Sequence, residues 1–518
     1  MKGIVAAGHP ETAGAAVTVL REGGNAMDAA LAGLCAAVVA EPILASLGGG
    51  GFLAARPHGG WLAGQTVVYD FFVQTPKRRR PEHEVDFRGV VADFGPAQQD
   101  FHIGMGAIAT PGVIKGIFEV HRDLGRMPIR GIVEPAIYLA RRGVPVNAVQ
   151  AYILRVVRSI VEAGSSTRAL FASPRSPGEL IGEGEALRLP DLADTLEILA
   201  IEGDDLFYRG EMGRMLARQC ESAGGQLSEQ DLRDYKVERR RPLEVEMRSS
   251  RVYLNPPPSM GGILVAFGLA LWKALGRPSD GFGSSQHLRR LIEVMHATSR
   301  ARLEIGFEPL ELPSDKLLEP TLIQRYRDEI AGAPVVVRGT TQISVIDAEG
   351  GAASLSVSNG EGSGYVLPGT GVILNNMLGE ADLNPEGSLG WSTDVRMSSM
   401  MTPGIVLDDM GGVTALGSGG SNRIRTAILQ ALLNLLAFGM PVEEAIAAPR
   451  LHVEGDKLSL EPGFPEHSVM TVERLCAEIE PWPDKNMFFG GVHAARRNRA
   501  GTLEGAGDER RGGCVGVA

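Results

Sequence analysis

Past the midpoint of the chain, Gly339-Thr340-Thr341-Gln342-Ile343-Ser344-Val345-Ile346-Asp347 sets a threonine pair in front of an alternating, β-branched run. A second alternating run, Ala352 to Ser358, follows across Ala348-Glu349-Gly350-Gly351. Period-two alternation on both sides of a short glycine-containing turn predicts a β-hairpin with the threonines at its open end. A threonine in that place acquires chemistry if the chain is cut in front of it. Its hydroxyl attacks a carbonyl and its own α-amine, less basic than a lysine, takes the proton, so no histidine is required. By itself, Gly-Thr-Thr before a strand is ordinary turn punctuation, and the rest of the sequence has to decide between the two readings.

The chain has 518 residues, of which 44% are hydrophobic, enough for a large core. Its 67 glycines and 5% aromatics suit tight turns and layered sheets better than a helical scaffold. A net charge of -11, spread along the chain, argues against a nucleic-acid partner and serves solubility. Cys35, Cys220, Cys476 and Cys514 lie far apart with no CxxC spacing, which suggests neither a zinc site nor a disulfide framework. The first residues run straight into foldable sequence, and the apolar stretch Ala29 to Ala40 is too short to span a bilayer. No export and no membrane association are expected, and a cytoplasmic protein is predicted.

Helical spacing between Thr12 and Pro42, broken at Gly23-Gly24-Asn25, predicts two helices with Asn25 capping the second. That second helix is apolar nearly all round and is expected to be buried against a sheet. Gly48-Gly49-Gly50-Gly51 reads as a loop entering a strand where another backbone or a ligand comes close, and neither a P-loop nor a dinucleotide fingerprint follows from it. Thr110 to Val156 is helical, with Arg141-Arg142-Gly143 closing one helix, and Leu180 to Asp234 is read as helices and loops. Leu243 to Leu254 alternates as a strand, then Asn255-Pro256-Pro257-Pro258-Ser259-Met260-Gly261-Gly262 holds an extended loop before a long apolar helix. A charged helix is expected after Leu317, ending near Gly332, and Ala333 to Arg338 is expected to be exposed enough to be cut. Further strands are read at Val372 to Leu374 and Thr414 to Leu416, and a helix at Thr426 to Phe438. The whole reads as one integrated domain with helices covering sheets.

Several of these signals occur together and in an order that resembles the γ-glutamyltransferase family. They are Gly3 to Pro10, Gly23 to Ala30, the four-glycine loop with Phe52, Pro256 to Gly262, and Thr340 to Val345. Leu374-Asn375-Asn376-Met377, Met397-Ser398-Ser399-Met400 and Gly417-Ser418-Gly419-Gly420-Ser421 continue the series over nearly the whole chain. The resemblance implies an N-terminal-nucleophile (Ntn) hydrolase, a four-layer αββα sandwich of the α+β class, made as an inactive precursor. It implies cleavage between Gly339 and Thr340, giving a large subunit 1–339 and a small subunit 340–518 that stay together. Thr340 would then be the nucleophile toward a γ-glutamyl amide of the glutathione type, with water or an amine as acceptor and no cofactor or metal. Thr341 is a supporting residue. Matched position by position, Ser358 would bond the amine of Thr340, and Asn359 would contact substrate. Gly419, Gly420 and Ser421 would supply backbone N–H groups to an oxyanion. Ser398 and Ser399 would hold an α-carboxylate.

The sequence departs from that pattern in the substrate pocket. In Asp70-Phe71-Phe72-Val73, Phe72 stands where family members carry an arginine that grips the α-carboxylate, and an aromatic ring cannot replace a bidentate guanidinium. The run Lys77-Arg78-Arg79-Arg80 either substitutes for it or forms a solvated face. After Asn376, Met377 stands among positions that bind the α-amino group in relatives, leaving Glu380 to pair with an ammonium. His9, His452 and His493 stand on separate segments and read as structural, and Arg302 with Glu304 reads as a solvated pair on different helix faces. Three readings follow: a γ-glutamyl amidohydrolase or transferase, an acylase of the same fold for a less charged or bulkier acyl group, and an uncut, non-catalytic family member acting as a binding protein.

Overall fold

The computed structural model describes residues 1–93, 98–305, 340–380, 383–384 and 390–518. Two antiparallel sheets lie face to face. In chain order the strands are β1 (Gly3–Ala7), β2 (Gly50–Arg56), β3 (Val67–Phe71), β4 (Glu238–Arg240), β5 (Leu243–Met247), β6 (Ser250–Leu254) and β7 (Thr341–Asp347). They continue with β8 (Ala352–Ser358), β9 (Gly404–Asp408), β10 (Val413–Gly419), β11 (Gly491–Arg497), β12 (Leu503–Ala506) and β13 (Cys514–Val517). The seven-stranded sheet runs β13-β1-β7-β8-β2-β3-β4, and the six-stranded sheet runs β12-β11-β10-β9-β6-β5. Helices α1 (Pro10–Arg21) and α2 (Ala26–Ala40) cover the outer face of the first sheet, and α3 (Met260–Leu275) and α4 (Arg423–Leu436) cover the outer face of the second. The result is the expected αββα sandwich.

The expected hairpin is β7 and β8, in register from Thr341 opposite Val357 to Ile346 opposite Ala352, at the centre of the larger sheet. Every residue of both strands is buried. The alternation therefore separates two buried faces. Ile343, Val345, Leu355 and Val357 pack beneath α1 and α2. Gln342, Ser344, Ser354 and Ser356 face the second sheet and cross-link it: Ser354 Oγ donates to the Leu416 carbonyl (2.7 Å) and Ser344 Oγ to the His493 carbonyl (2.9 Å). Gln342 Nε2 donates to Ser344 and Ser354 Oγ (both 3.0 Å), and Ser356 Oγ donates to Gln342 Oε1. Small hydroxyls tolerate a close sheet spacing, and each buried polar group finds a partner.

Asn25 caps α2 as expected, accepting from the N–H groups of Met27 and Asp28 (both 2.9 Å) while Asp28 answers in a reciprocal capping box. Helix α2 is buried along its full length. The four-glycine loop has a steric cause, since a Cβ at Gly48, Gly49, Gly50 or Gly51 would strike the backbone of Ile373, Ser358, Val73 or Ser356. Gly262 likewise lies against the Asn255 carbonyl, which explains the glycine after the proline loop.

Two boundaries differ from expectation. Leu243 to Leu254 is two strands, β5 and β6, paired around Arg248-Ser249. Arg248 takes a left-handed φ of 55° without being glycine, so the turn carries none of the residues that announce one. Helix α4 starts at Arg423, three residues earlier than the apolar period suggests, because Arg423 and Arg425 are themselves buried. The charged helix expected after Leu317, the segment Ala333 to Arg338, and Gly339 lie outside the described residues, as does the side chain of Glu304.

Replacing Gln342 by leucine is expected to destabilise the protein by about 1–3 kcal/mol, because Ser356 loses its acceptor and the serine ladder loses its amide donor. Urea unfolding with an unchanged m-value would measure it, and an unchanged midpoint would contradict the role given to this ladder.

Candidate active site

Extending the hairpin register by one step from Thr341 and Val357 sets Thr340 opposite Ser358. Both line the same cleft. Ser421 lies on the same cleft, brought there by β10, which ends at Gly419 beside the hairpin. A Cβ at Gly419 would strike the Thr340 carbonyl oxygen, so this turn needs glycine to approach the threonine at all. Gly420 (φ 126°) and Ser421 (φ 55°) take backbone conformations that L side chains rarely adopt. Arg423 N–H then bonds the Gly420 carbonyl (3.1 Å) and Ile424 N–H the Ser421 carbonyl (2.9 Å). These bonds occupy the first two N–H groups of α4, so the donors this segment can aim at an oxyanion are the backbone N–H groups of the glycine turn itself.

The walls of the cleft are apolar. Phe72 follows β3 and stacks on Phe52 with ring centroids 5.4 Å apart. Its N–H is held by Asp70 Oδ1 (3.0 Å), and its carbonyl accepts from Tyr235 Oη (2.7 Å) and from Arg396. Met377, Leu383, Met400, Met401 and Ile424 complete the apolar lining, with Glu380 and Ser399 as polar members. None of the described residues on this cleft is lysine or arginine. Arg396 lies behind Phe72, buried, with its Nε 3.7 Å from Asp70 and its Nη1 2.5 Å from Tyr235 Oη. The Lys77–Arg80 run does not reach the cleft lining: Lys77 pairs with Asp394 (2.8 Å) and Asp234 (3.2 Å), and Arg79 stacks on Trp391 at 4.9 Å.

Of the residues singled out in the sequence, the structure brings Thr340, Ser358, Ser421, Phe72, Met377, Glu380 and Ser399 onto one cleft. Ser398 is half-buried and outside that lining, as is Asn359. Asn359 is fully buried behind Ser358, and neither atom of its amide has a hydrogen-bond partner among the described residues. Asn375 and Asn376 turn out to be braces. Asn375 Nδ2 donates to the Gly48 carbonyl (2.8 Å) and the Ala109 carbonyl (2.9 Å), tying the glycine loop to the segment that carries Met377. Ser259 Oγ donates to the Ser399 carbonyl (2.8 Å), so the proline loop anchors the serine pair. The histidines have structural partners: His9 Nδ1 caps α1, His452 lies between Thr426 and Glu454 (both 2.9 Å), and His493 Nδ1 accepts from Asp508 N–H (3.1 Å). Arg302 is not solvated, because its Nη1 donates to Asn422 Oδ1 (3.1 Å) at the start of α4.

Sequence reasoning missed the charged groups under Thr340. Arg511 Nη1 reaches the Thr340 carbonyl at 3.5 Å, and burial brings this guanidinium down to about 10. Its neighbour Asp508 would be raised by burial, but Arg450 (2.6 Å) and Arg510 (3.1 Å) bring its carboxyl down to about 2. Arg510 also bonds Glu461 Oε1 through Nε (2.7 Å). A paired Arg510-Arg511 near the end of an acidic chain was the available signal, and it reads as surface charge until the fold is known.

A threonine heading an inner strand of an αββα sandwich, facing a cleft beside a glycine turn, places the molecule in the class of N-terminal-nucleophile hydrolases. The family model for gamma-glutamyltranspeptidase matches residues 12–518. The chain is 31% identical to the acylase ACY 1 proenzyme of Pseudomonas sp. (strain SE83), over 98% of this chain and 91% of that protein. It is 30% identical to the glutathione hydrolase proenzyme of Escherichia coli (strain K12), over 98% and 90%. Among solved structures, cephalosporin acylase from Bacillus halodurans has the same fold, with a TM-score of 0.85 at 24% identity over 99% of this chain and 95% of that one. The chain belongs to the gamma-glutamyltranspeptidase family.

Substituting Gly419 with alanine is expected to push the Thr340 backbone away from the turn and to lower any Thr340-dependent turnover by about 100-fold, the scale of a 1 Å misplacement. Steady-state rates of the alanine variant at wild-type level would contradict the assigned approach.

Proposed function

We propose that the chain is a self-processing amide hydrolase whose nucleophile is Thr340. In the precursor, Thr340 Oγ1 attacks the Gly339 carbonyl carbon, the Gly339–Thr340 C–N bond breaks as its nitrogen takes a proton, and water hydrolyses the resulting ester. This frees the α-amine of Thr340 and gives subunits 1–339 and 340–518. The mature hydroxyl then attacks an acyl amide with its own amine as base, and water or an amine releases the acyl group. Ser358, across the strand pair, is positioned to bond that amine, and the Gly419-Gly420-Ser421 turn to take the oxyanion.

The observation that carries the substrate reading is the lining of the cleft. An α-carboxylate would meet Phe72, Met377 and methionines 400 and 401, with no cation among the described lining residues. We therefore assign an acyl group with an apolar body and no carboxylate at its far end. The acylase relative supports this reading. The γ-glutamyl reading keeps one specific support, Glu380, which suits an ammonium group, together with the glutathione hydrolase relative.

Three anilides separate these readings: butyryl, 4-aminobutyryl and γ-glutamyl. The 4-aminobutyryl and butyryl compounds are expected to have kcat/KM at or above that of the γ-glutamyl compound. A γ-glutamyl value more than 10-fold above both would overturn the assignment. Phe72→Arg is expected to raise γ-glutamyl turnover relative to butyryl by about 10- to 100-fold, the scale of one charged hydrogen bond. Thr340→Ala is expected to abolish turnover of all three.

A further inference from the structure

Glu41 is a buried carboxylate that no step above uses. It follows α2 directly, its N–H closing the helix on the Ala37 carbonyl, and it is 1% exposed. Its two oxygens accept from two threonines on different elements: Thr12 Oγ1 on α1 (2.7 Å) and Thr341 Oγ1 on β7 (2.8 Å). Thr341 is the residue after the nucleophile. A Cβ on Gly8 would lie 2.9 Å from Glu41 Oε2, 3.3 Å from Thr341 Oγ1 and 3.5 Å from His493 Nε2, so these groups converge where β1 leaves the sheet, and glycine makes room for them. The guanidinium of Arg511 acts on the same carboxylate and contacts the Thr340 carbonyl.

We propose that Glu41, as a carboxylate, is the positioning residue for Thr340: it fixes Thr341 on one side and attracts Arg511 toward the Thr340 carbonyl on the other. The proposal rests on the reading of Thr340 as scissile residue and nucleophile. A carboxylate accepts both threonine protons at once. Once protonated, or replaced by an amide, it turns a donor toward one of them, so a threonine must reorient to accept and the charged two-acceptor grip on the head of β7 is weakened. A charged acceptor also makes the stronger bond.

Burial raises the Glu41 carboxyl, against the two threonine bonds and Arg511. The ionisable groups facing it are Arg511, brought down to about 10, Cys514, pushed up to about 12, and His493, held down to about 4 by burial. Asp508, beyond Arg511 and His493, is held at about 2. In the uncut chain the Thr340 nitrogen is an amide and does not titrate. Because burial raises it, Glu41 gains its proton above the ordinary carboxylate range, before His493 does, and self-cleavage slows where it does so.

The test follows the rate of fragment formation in the full-length chain by denaturing electrophoresis from pH 4.5 to 8. The variants are Glu41→Gln, Thr341→Val, Thr341→Ser and the Gln/Val double. Wild type is expected to slow on one acid limb. Glu41→Gln is expected to be about 10- to 100-fold slower with that limb absent. Thr341→Val should slow cutting by no more than Glu41→Gln does, Thr341→Ser should restore most of the rate, and the double should be no slower than Glu41→Gln, because that variant already removes the grip on Thr341. A Glu41→Gln chain with the wild-type rate and acid limb overturns the proposal, as do effects that simply multiply in the double. If Glu41→Gln does not fold, the threonine pair decides: Thr341→Val cutting as fast as wild type overturns it. A wild-type chain that never cuts overturns the reading of Thr340 and this proposal together, whereas a wild type that cuts beside indifferent variants overturns this proposal alone.

Discussion

The pairing of β7 with β8 in the middle of the seven-stranded sheet is the constraint on which the rest depends. A one-residue slip would exchange the face that packs under α1 and α2 for the face that bonds the second sheet, putting serines into the apolar layer and β-branched residues into the serine ladder. Register is thus fixed from both sides. The same register sets Thr340 opposite Ser358, and the second sheet, held by the ladder at Leu416 and His493, brings the end of β10 beside them. The geometry of the candidate site is a consequence of sheet geometry.

Around that centre the protein tolerates unusual local costs. Gly420 and Ser421 hold rare backbone conformations, the buried amide of Asn359 has no hydrogen-bond partner among the described residues, and Arg450, Arg510 and Arg511 are all buried near the foot of the site. Buried charges stabilise little in net terms, since desolvation offsets most of their attraction, yet breaking one member of a pair is expensive. Their value here is in holding the carboxy-terminal segment against Thr340, with Asp508 joining Arg450 and Arg510 while also donating its own N–H to His493. The cleft itself shows the opposite economy: Phe72 on Phe52 and the methionines give it an adaptable apolar wall in place of a fixed charge.

Local chemistry was legible where it has a local cause. The alternation of Thr341 to Ser358, the Asn25 cap and the four-glycine loop each follow from rules that act within a few residues, and each is found where the sequence placed it. The hairpin at Arg248-Ser249 was not legible, because its left-handed residue is an arginine, and the only other mark is two exposed residues in a row, Arg248 and Ser249, where the alternation slips by one. Asn375 and Asn376, read in the sequence only as part of a motif, are braces, since an asparagine's partners are set by the loops it meets. Glu41 and Arg511, which interact electrostatically near Thr340, stand 470 positions apart, and no periodicity connects them. Lys77 to Arg80, conspicuous as a charge run, finds its partners in a neighbouring loop and not in the cleft lining.

The central claim is that the head of β7 is both the cut and the nucleophile, and the most direct test is to find where the chain breaks. Intact mass and amino-terminal sequencing of the purified protein are predicted to give a small fragment that starts Thr-Thr-Gln-Ile-Ser and ends at Ala518, paired with a large fragment ending at Gly339. A single chain of full mass after prolonged incubation, or a break at any other residue, would contradict the account.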